Sequence, residues 1–401
     1  MRLPGGLDLT YCTNIHPGNG WEEVDANIRR FGPELKRRIS PDAEFGLGLR
    51  LSAREAQELL TGDKLSEFRS FLSGAGLYVG LLNGFPHGAF HGTPVKANVY
   101  APDWRDEARV HYTTDLIAIL AGLLPEGADG GVSTAPLSYK PWMTAATPDD
   151  WDAIIHNVVK VAEVLVRVER EQGKFLHLDI EPEPDCLIEN TRETVAFYRD
   201  WLLPKGSPLL AAKLGIGTDQ ARALLLYHIQ LCFDCCHFAV EFEDPLAAID
   251  TLTREGIRVG RAQLSSALEV RFPDDAVQSA AIGERLAAFA DTTYLHQVVE
   301  LRGDQVRRFP DLGEALSHPA EPGAKIWRIH FHVPLFTKEF GPLGSTQDYV
   351  STVIQAARRT GFTTRLEIET YTWDVLPTGL KAGLADSIAR EYEWALGAVH
   401  A

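Results

Sequence analysis

The stretch Lys174-Phe-Leu-His-Leu-Asp-Ile-Glu181 carries the clearest structural signal in this 401-residue sequence. With the two-residue period of a β-strand, His177, Asp179 and Glu181 share one face, and the apolar residues between them share the other. The apolar face suits packing against helices, so the polar face is predicted to line the interior of a barrel. Ionisable groups in such an interior must be paired or hold a ligand. A solvent-facing amphipathic strand is the alternative interpretation.

Strand-like runs of this kind alternate with amphipathic helical patterns along the whole chain. The eight candidate strands are residues 7–13, 45–51, 77–83, 131–135, 175–181, 229–234, 259–265 and 364–371. Repeated β-then-α units predict parallel strands, and eight of them predict an α/β fold of the (β/α)₈ TIM-barrel type. An open doubly wound sheet is disfavoured because no G-x-G-x-x-G turn follows the first strand. Residues 1–401 are therefore predicted to form a single TIM-barrel domain.

The segment between the seventh and eighth candidate strands is longer than a plain barrel needs. It contains a predicted hairpin, formed by residues 293–301 and 305–309 around the turn Gly303-Asp304. A ninth strand-like run follows at residues 326–336. We interpret residues 268–340 as an insertion that forms a lid over the catalytic face of the barrel.

Composition excludes several classes of protein. The chain has 39 basic and 55 acidic residues, a net charge of −16, and no basic cluster long enough to follow a phosphate backbone, so nucleic-acid binding is not expected. No apolar run approaches the length of a membrane span, and no secretory signal is recognisable at the start. Five unevenly spaced cysteines do not indicate a disulfide framework. A cytoplasmic location is expected.

Polar residues stand at the C-terminal ends of four candidate strands, where the chemistry of TIM barrels is located. Glu181 ends the fifth strand, Asp234 ends the sixth with His237 three residues later, Gln263 lies in the seventh and Glu369 in the eighth. Carboxylate and amide oxygens are ligands for hard divalent cations. We predict that Glu181, Asp234, Gln263 and Glu369 hold one such ion, Mn²⁺ or Mg²⁺, with Zn²⁺ and Co²⁺ as further candidates.

Each of these positions also has a structural interpretation. Asp234 can cap the helix that follows it, and Gln263 can be a buried hydrogen-bonding residue. Glu367 and Glu369 face the same way along one strand, and a neighbouring arginine such as Arg261 would relieve their repulsion as a divalent ion would. These alternatives stay open from the sequence.

The order of these residues resembles the metal-binding pattern of the xylose-isomerase-like (sugar isomerase/epimerase) superfamily. The chain resembles more closely its EboE-type metabolite traffic proteins, through the motifs Leu9-Thr-Tyr-Cys-Thr-Asn14-Ile-His16-Pro-Gly, Asn83-Gly-Phe-Pro-His87, Ile329-His-Phe-His332-Val-Pro-Leu-Phe and Leu366-Glu-Ile-Glu-Thr-Tyr-Thr-Trp-Asp-Val-Leu-Pro377. The resemblance implies a TIM barrel, one divalent metal, and membership of a bacterial gene cluster concerned with a prenylated or cyclitol-type metabolite. It implies no particular reaction.

A metal at this position suggests an isomerase or epimerase acting on a small polyol, sugar or cyclitol. The cation would polarise a carbonyl, Glu181 and Glu369 would move the proton on the adjacent carbon, and His237 would hydrogen-bond the developing oxyanion. Residues predicted to contact the substrate are Tyr11, Asn14, His16, Asn83, His87, Arg261 and His332.

Two other functions compete with this hypothesis. The chain could bind and carry a metabolite without catalysis, working with enzymes of the same pathway. A metal-dependent phosphodiesterase is the less favoured alternative, because the acidic balance and the scarcity of histidines at strand ends disfavour a multi-metal cluster acting on nucleic acid.

Overall fold

The computed structural model describes residues 1–89, 95–144, 147–290, 293–318, 323–372 and 383–400. Its strands are β1 Asp8–Cys12, β2 Phe45–Arg50, β3 Leu77–Asn83, β4 Gly130–Thr134, β5 Leu176–Ile180, β6 Ile229–Asp234, β7 Val259–Leu264, β8 Ser266–Phe272, β9 Val298–Arg302, β10 Gln305–Phe309, β11 Lys325–Val333, β12 Glu339–Phe340, β13 Leu343–Ser345 and β14 Arg365–Ile368. Strands β1 to β7 and β14 close into a parallel barrel in chain order, with β14 between β7 and β1. The predicted TIM barrel is confirmed.

Most helices surround the barrel and return the chain between its strands, and two lie within the long segment before the eighth barrel strand. The helices are α1 Trp21–Ile39, α2 Ala53–Leu59, α3 Lys64–Ala75, α4 Glu107–Leu123, α5 Pro148–Gln172, α6 Thr191–Ala196, α7 Ser207–Leu214, α8 Thr218–His228, α9 Cys235–Val240, α10 Pro245–Arg254, α11 Ala276–Leu286, α12 Leu312–Ser317, α13 Gln347–Thr360 and α14 Leu384–His400, with a π-helical Phe197–Gly206 between α6 and α7. None of the helices in the described ranges is long and apolar enough to cross a membrane.

Local sequence explains where α5 begins and ends, and this helix leads directly into the strand that carries Glu181. Thr147 and Asp150 form a reciprocal capping box at its N-terminus, and Pro148 occupies the first helical position. Gly173 ends the helix in the left-handed conformation (φ 67°), which glycine adopts without steric cost. The apolar stripe of α5 is buried, so this helix packs against the barrel beside the strand that follows it.

The long segment before the eighth barrel strand forms a second sheet. Its order is β10-β9-β11-β8-β13-β12, all neighbouring pairs being antiparallel. The predicted hairpin is present as β9 and β10, and the ninth strand-like run is β11. The sheet spans 266–345 in the described part of the chain, slightly more than the predicted 268–340. The insertion between the seventh and eighth barrel strands is confirmed.

The insertion joins the barrel at two junctions that bind each other. Only Ser265 separates β7 from β8, and only Thr346 separates β13 from α13. The backbone N–H of Ala267 donates to Thr346 Oγ1 at 2.8 Å, and the Thr346 N–H donates to the Ala267 carbonyl at 3.0 Å. The entrance and the exit of the insertion are therefore held side by side.

Charged side chains fill the barrel interior below the carboxyl ends of the strands. Arg261 donates from Nε to Asp179 Oδ2 at 3.0 Å, from Nη1 to Glu367 Oε2 at 3.2 Å, and from Nη2 to the Gly131 carbonyl at 2.6 Å. His177 Nδ1 lies 2.5 Å from the other oxygen of Asp179. The polar face predicted for the fifth strand thus points inward and is ion-paired, as buried charges require.

Glycine makes room for this charged layer. A Cβ added to Gly48 would overlap the Glu367 carboxylate, and one added to Gly131 or Gly260 would overlap Asp179 and His177. The barrel interior accommodates these large polar side chains because the neighbouring strand positions are glycines, which have no side chain.

Candidate metal centre

Three carboxylates converge where the barrel strands end. Glu181 follows β5, Asp234 ends β6 and Glu369 follows β14 by one residue. All three side chains are buried, and each offers an oxygen within 4.8 Å of the others. The sequence predicted this convergence from the phase of each strand, and the parallel barrel brings the strand ends together.

Two asparagine side chains hold Glu369 in place. Its Oε1 accepts a hydrogen bond from Asn14 Nδ2 at 2.9 Å and another from Asn83 Nδ2 at 3.3 Å. Asn14 follows β1 and Asn83 ends β3, so side chains from two other barrel strands orient this carboxylate. Two amide donors fix the rotamer of Glu369 while leaving Oε2 for another partner.

Asp234 makes contacts in two directions. Its Oδ1 accepts from the His237 backbone N–H at 2.9 Å and from Ser265 Oγ at 2.8 Å. The first of these bonds caps α9, so the predicted alternative of a helix cap is realised for this oxygen. Asp234 Oδ2 lies 3.2 Å from the side-chain amide of Gln263.

Gln263 completes an oxygen-rich set. The end of its side-chain amide lies 3.0 Å from Glu181 Oε1 and 3.2 Å from Asp234 Oδ2. With its nitrogen toward the carboxylates, the amide donates a hydrogen bond to each of them. With its oxygen toward them, it becomes a fourth ligand oxygen facing a common centre. The same side chain therefore suits the protein with or without a cation.

Burial and mutual repulsion perturb the pKa values of these acids. Burial, followed by the charges of Asp234 and Glu183, raises the pKa of Glu181 well above its usual value. Burial, followed by the charges of Glu181 and Asp234, does the same to the pKa of Glu369. Burial alone would raise the pKa of Asp234, but His237, His332 and its hydrogen bonds lower it overall.

This donor set fits a divalent cation. Burial and mutual repulsion raise the pKa values of Glu181 and Glu369, so a nearby positive charge would stabilise the ionised group. A cation supplies that charge, and oxygen ligands of this kind suit Mg²⁺ or Mn²⁺.

A wall of histidines lies beside the carboxylates. His237 belongs to α9, whereas His330 and His332 come from β11 of the insertion. Burial, followed by the neighbouring histidines, lowers the pKa of His330 well below its usual value. Burial above all lowers the pKa of His332 to about 4. These two imidazoles are therefore neutral at physiological pH.

A cleft opens above these residues between the barrel and the insertion. It is lined by Asn14, Asn83, Phe85, Pro86, Val95, Lys96, Val99, Tyr100, Glu181, Glu183, His237, Tyr294, Leu295, His330, His332, Glu369 and Tyr371. Polar groups concentrate at the floor, and apolar side chains from the loops and the insertion form much of the wall. Small-molecule sites commonly have this composition.

The predicted substrate-contact residues divide into two groups. Asn14, Asn83 and His332 line the cleft. Tyr11, His16, His87 and Arg261 lie elsewhere: Tyr11 Oη is 3.0 Å from His16 Nε2, with His16 stacked on Phe31 at a centroid distance of 4.6 Å. His87 packs edge-on against Tyr112, and Arg261 is enclosed by the interior ion pairs. Position along the chain was not enough to determine whether these four side chains reach the cleft.

Two polar residues that line the cleft, Glu183 and Tyr100, were missed from the sequence, as was Gln297, which contacts Tyr100. Tyr100 Oη donates to Glu183 Oε1 at 2.6 Å, and Gln297 Nε2 donates to Tyr100 Oη at 3.0 Å. Glu183 stands two residues after Glu181 in the same strand-end segment, which was the available signal. Tyr100 and Gln297 carry no such signal, since only tertiary packing brings them beside Glu183.

Comparison with known proteins supports the fold. No family model and no curated protein matches the chain, whereas 41 chains of solved structures do. A xylose isomerase-like TIM barrel protein from Mycobacterium smegmatis, in complex with magnesium, aligns over 98% of this chain and 96% of its own, with a TM-score of 0.51 and 13% identity. The IOLI protein, with a bound zinc atom, aligns over 98% of both chains, with a TM-score of 0.46 and 11% identity. The chain thus has the fold of the xylose isomerase-like TIM barrels.

Substitution of Glu369 should weaken cation binding at the carboxylates far more than substitution of Glu367. We expect Glu369→Gln to reduce Mn²⁺ affinity by about 100-fold or more, since loss of an outer-shell contact alone typically costs about 10–100-fold. Glu367→Gln is the matched control, because it lies two residues away on the same strand and contacts Arg261 instead. Titration of chelator-treated protein with Mn²⁺, followed by electron paramagnetic resonance, measures the affinity.

The same titration has an expected pH dependence. Glu181 and Glu369 have raised pKa values, so a cation must displace protons from them. Mn²⁺ affinity should therefore rise as the pH rises and fall as the pH falls. Equal affinities for the two variants would contradict the assignment of Glu369 as a ligand.

Proposed function

We propose that this chain is a metal-dependent isomerase or epimerase that acts on a small polyhydroxylated metabolite of the sugar or cyclitol type. The observation that carries the proposal is the convergence of Glu181, Asp234 and Glu369 within 4.8 Å, with Gln263, at the floor of an accessible cleft. In TIM barrels, strand ends on this side hold the catalytic groups. The similar TIM barrel protein was solved in complex with magnesium, which is consistent with a divalent cation in this chain.

Glu181 and Glu369 are the candidate proton-transfer residues because both line the cleft, whereas Asp234 and Gln263 lie behind them. Asn14 and Asn83 restrain Glu369, which favours its role as a cation ligand. Glu181 contacts the amide of Gln263 and is less restrained, which favours it as the base that removes a proton from carbon.

Glu181, Asp234, Gln263 and Glu369 would hold the divalent ion, which would supply Lewis acidity that makes the C–H bond beside a substrate carbonyl more acidic. Asn14 and Asn83 contribute to this arrangement by fixing Glu369 in place. His237 is the remaining candidate catalytic residue. Its Nδ1 lies 2.8 Å from the Pro182 carbonyl and must donate to it, so neutral His237 presents a lone pair, not an N–H group, at Nε2.

We further propose that the insertion covers the cleft and selects the substrate. Tyr294, Leu295, His330 and His332 belong to the insertion and line the cleft. They add apolar and aromatic surface opposite the carboxylates. This composition favours a substrate that combines a hydroxylated end with a less polar part.

The cleft and the net charge affect the two alternative functions differently. A non-catalytic metabolite carrier of the EboE type would bind the same ligand in the same cleft. A metal-dependent phosphodiesterase gains one feature, since β11 supplies the histidines that the barrel strand ends lack. The net charge of −16 still disfavours nucleic acid as its substrate.

Exchange of carbon-bound hydrogen with solvent tests the proposed reaction. Full-length protein loaded with Mn²⁺ or Mg²⁺ is incubated in D₂O with a panel of ketoses, aldoses and keto-cyclitols, and deuterium incorporation beside the carbonyl is followed by NMR. We expect metal-dependent exchange for at least one compound. Ligand binding without exchange across the panel would favour the carrier, and phosphate-ester hydrolysis would favour the phosphodiesterase.

A further inference from the structure

A buried carboxyl group on the C-terminal helix joins two chain segments that end beside the cleft. Glu391 lies on α14, is 1% exposed, and shares the buried side of that helix with Ile388 and Ala395. Glu391 Oε1 accepts a hydrogen bond from the Thr370 hydroxyl at 2.6 Å and another from the Leu335 backbone N–H at 3.1 Å. Burial of a carboxyl group is costly without such partners. Glu391, Thr370 and Leu335 together form the α14 clamp.

The first segment held by the α14 clamp carries the carboxylate of Glu369. Thr370 follows Glu369 directly, and both residues lie beyond Ile368, where β14 ends. The Glu369 backbone N–H donates to the Leu264 carbonyl at 3.1 Å, and the Glu369 carbonyl lies 2.8 Å from His332 Nδ1. The Thr370 hydroxyl therefore adds a restraint on the backbone just after the strand ladder has stopped.

The second segment is the end of β11, the strand of the insertion that reaches the cleft. The chain leaves this strand at Pro334, which has no N–H group, and Leu335 follows, completely buried. A buried backbone needs partners for its polar groups. The Leu335 N–H donates to Glu391, and its carbonyl accepts from Gln347 Nε2 at 2.6 Å. The α14 clamp thus ties the end of β11 to the segment that carries Glu369.

Both hydrogen bonds of the α14 clamp reach the same oxygen of Glu391. A neutral carboxylic acid or an amide keeps such an acceptor, whereas an apolar side chain does not. Burial raises the pKa of Glu391 to about 7, although the hydrogen bonds from Thr370 and Leu335 lower it. The α14 clamp therefore requires an acceptor oxygen at position 391, and it does not require a negative charge.

We propose that Glu391 is a positioning residue for the cation ligand Glu369. This role presupposes the cation site proposed above. Glu391 itself is not among the residues that line the cleft, so it acts through Thr370 and Leu335. The groups of a functional site must be held within about 0.5 Å of the productive geometry. Because Glu369 lies past the end of its strand, the α14 clamp supplies a restraint that the β-ladder no longer provides.

Metal affinity tests this role without any enzymatic assay. Chelator-treated full-length protein is titrated with Mn²⁺, and free Mn²⁺ is measured by electron paramagnetic resonance. We expect Glu391→Met to bind Mn²⁺ about 10-fold more weakly, the lower end of the cost of losing an outer-shell contact. Glu391→Gln keeps the acceptor oxygen and should restore the wild-type affinity. Glu393→Met is the matched control, because Glu393 is exposed on the same helix, and its affinity should be unchanged.

Thr370→Val provides a second route that leaves Glu391 in place. Valine keeps the shape of threonine but donates no hydrogen bond, so this variant should also weaken Mn²⁺ binding. The combined Glu391→Met and Thr370→Val protein should bind no more weakly than Glu391→Met alone, because residues that share one interaction are not additive. Circular dichroism on the same samples measures the folded fraction, since reduced stability alone does not change the affinity of molecules that remain folded.

Unchanged Mn²⁺ affinity in Glu391→Met, or in Thr370→Val, would overturn the positioning role while leaving the cation site intact. An equal loss in Glu391→Gln and Glu391→Met would overturn it too, because the charge of Glu391 would then matter and not its acceptor oxygen. Wild-type protein that binds no Mn²⁺ would reject the cation site and this role with it. Failure of the proposed reaction alone, with Mn²⁺ still bound, affects neither result.

Discussion

Replacement of Glu181 by glutamine is expected to lower the rate of hydrogen exchange by about 10²–10⁴-fold, the usual contribution of a general acid or base. The amide preserves the size of the side chain and its carbonyl oxygen, but it cannot accept a proton at neutral pH. In metal-loaded protein the loss should appear mainly in kcat, because the proton transfer itself contributes little to substrate binding. Exchange measured by NMR over a range of substrate concentrations separates kcat from KM.

Glu107→Gln controls for the change of charge. Glu107 begins α4 and its carboxylate pairs with Lys160 at the surface, so this variant should exchange hydrogen at the wild-type rate. Metal content is measured in the same Glu181→Gln sample. A fully metal-loaded Glu181→Gln protein with turnover near that of the wild type would remove Glu181 from the proton transfer.

Replacement of Arg261 by methionine is expected to destabilise the protein by about 3–5 kcal/mol, the cost of removing one partner from a buried ion pair. Burial alone would lower the pKa of Arg261, but Glu367 and Asp179 raise it overall, which is the signature of a strongly compensated buried charge. Methionine fills part of the space but leaves both carboxylates without their cation. Chemical denaturation followed by tryptophan fluorescence measures the change in unfolding free energy.

Arg254→Met is the surface counterpart of this variant. Arg254 pairs with Asp250 one helical turn away, and both side chains are about two-thirds exposed. Such exposed pairs typically contribute about 0–1 kcal/mol. Adding Glu367→Gln to Arg261→Met should recover part of the loss, since it removes one uncompensated charge. Equal stability of the two arginine variants would show that the interior charges are compensated by another route.

The strand phases were sufficient to predict the barrel and the meeting of its carboxylates. The alternation of polar and apolar residues in the sequence identifies the strands that end near Glu181, Asp234 and Glu369. A closed parallel barrel brings the ends of such strands together. The strand alternation also predicted that Arg261 faces inward, but it did not predict how far below the cleft its side chain lies. Arg261 lies two positions before Gln263 along β7, which is enough to place it in the charged interior instead of the cleft.

The position of His330 and His332 beside the carboxylates could not be predicted from strand alternation alone. His330 and His332 alternate on β11, so a shared face was predictable, but the pairing of β11 with β8 shifts register between Ile329 and His332. That irregularity arises from the second sheet, and it has no counterpart in the periodicity of the sequence. Tyr11 and His16 show the converse limit. Tyr11 lies in the first strand and His16 follows it, but the two side chains contact each other and do not line the cleft.

The two hydrogen-bonded junctions of the insertion determine at which stage the conformational entropy of the cleft is lost. Ser265 and Thr346 leave no loop at either junction to absorb the dihedral changes of a hinge. The histidine-bearing strand is therefore placed against the barrel once, during folding, and its conformational entropy is not lost again with each ligand. The insertion acts as a permanent wall, and the exchange of ligands with solvent is left to the barrel loops around it.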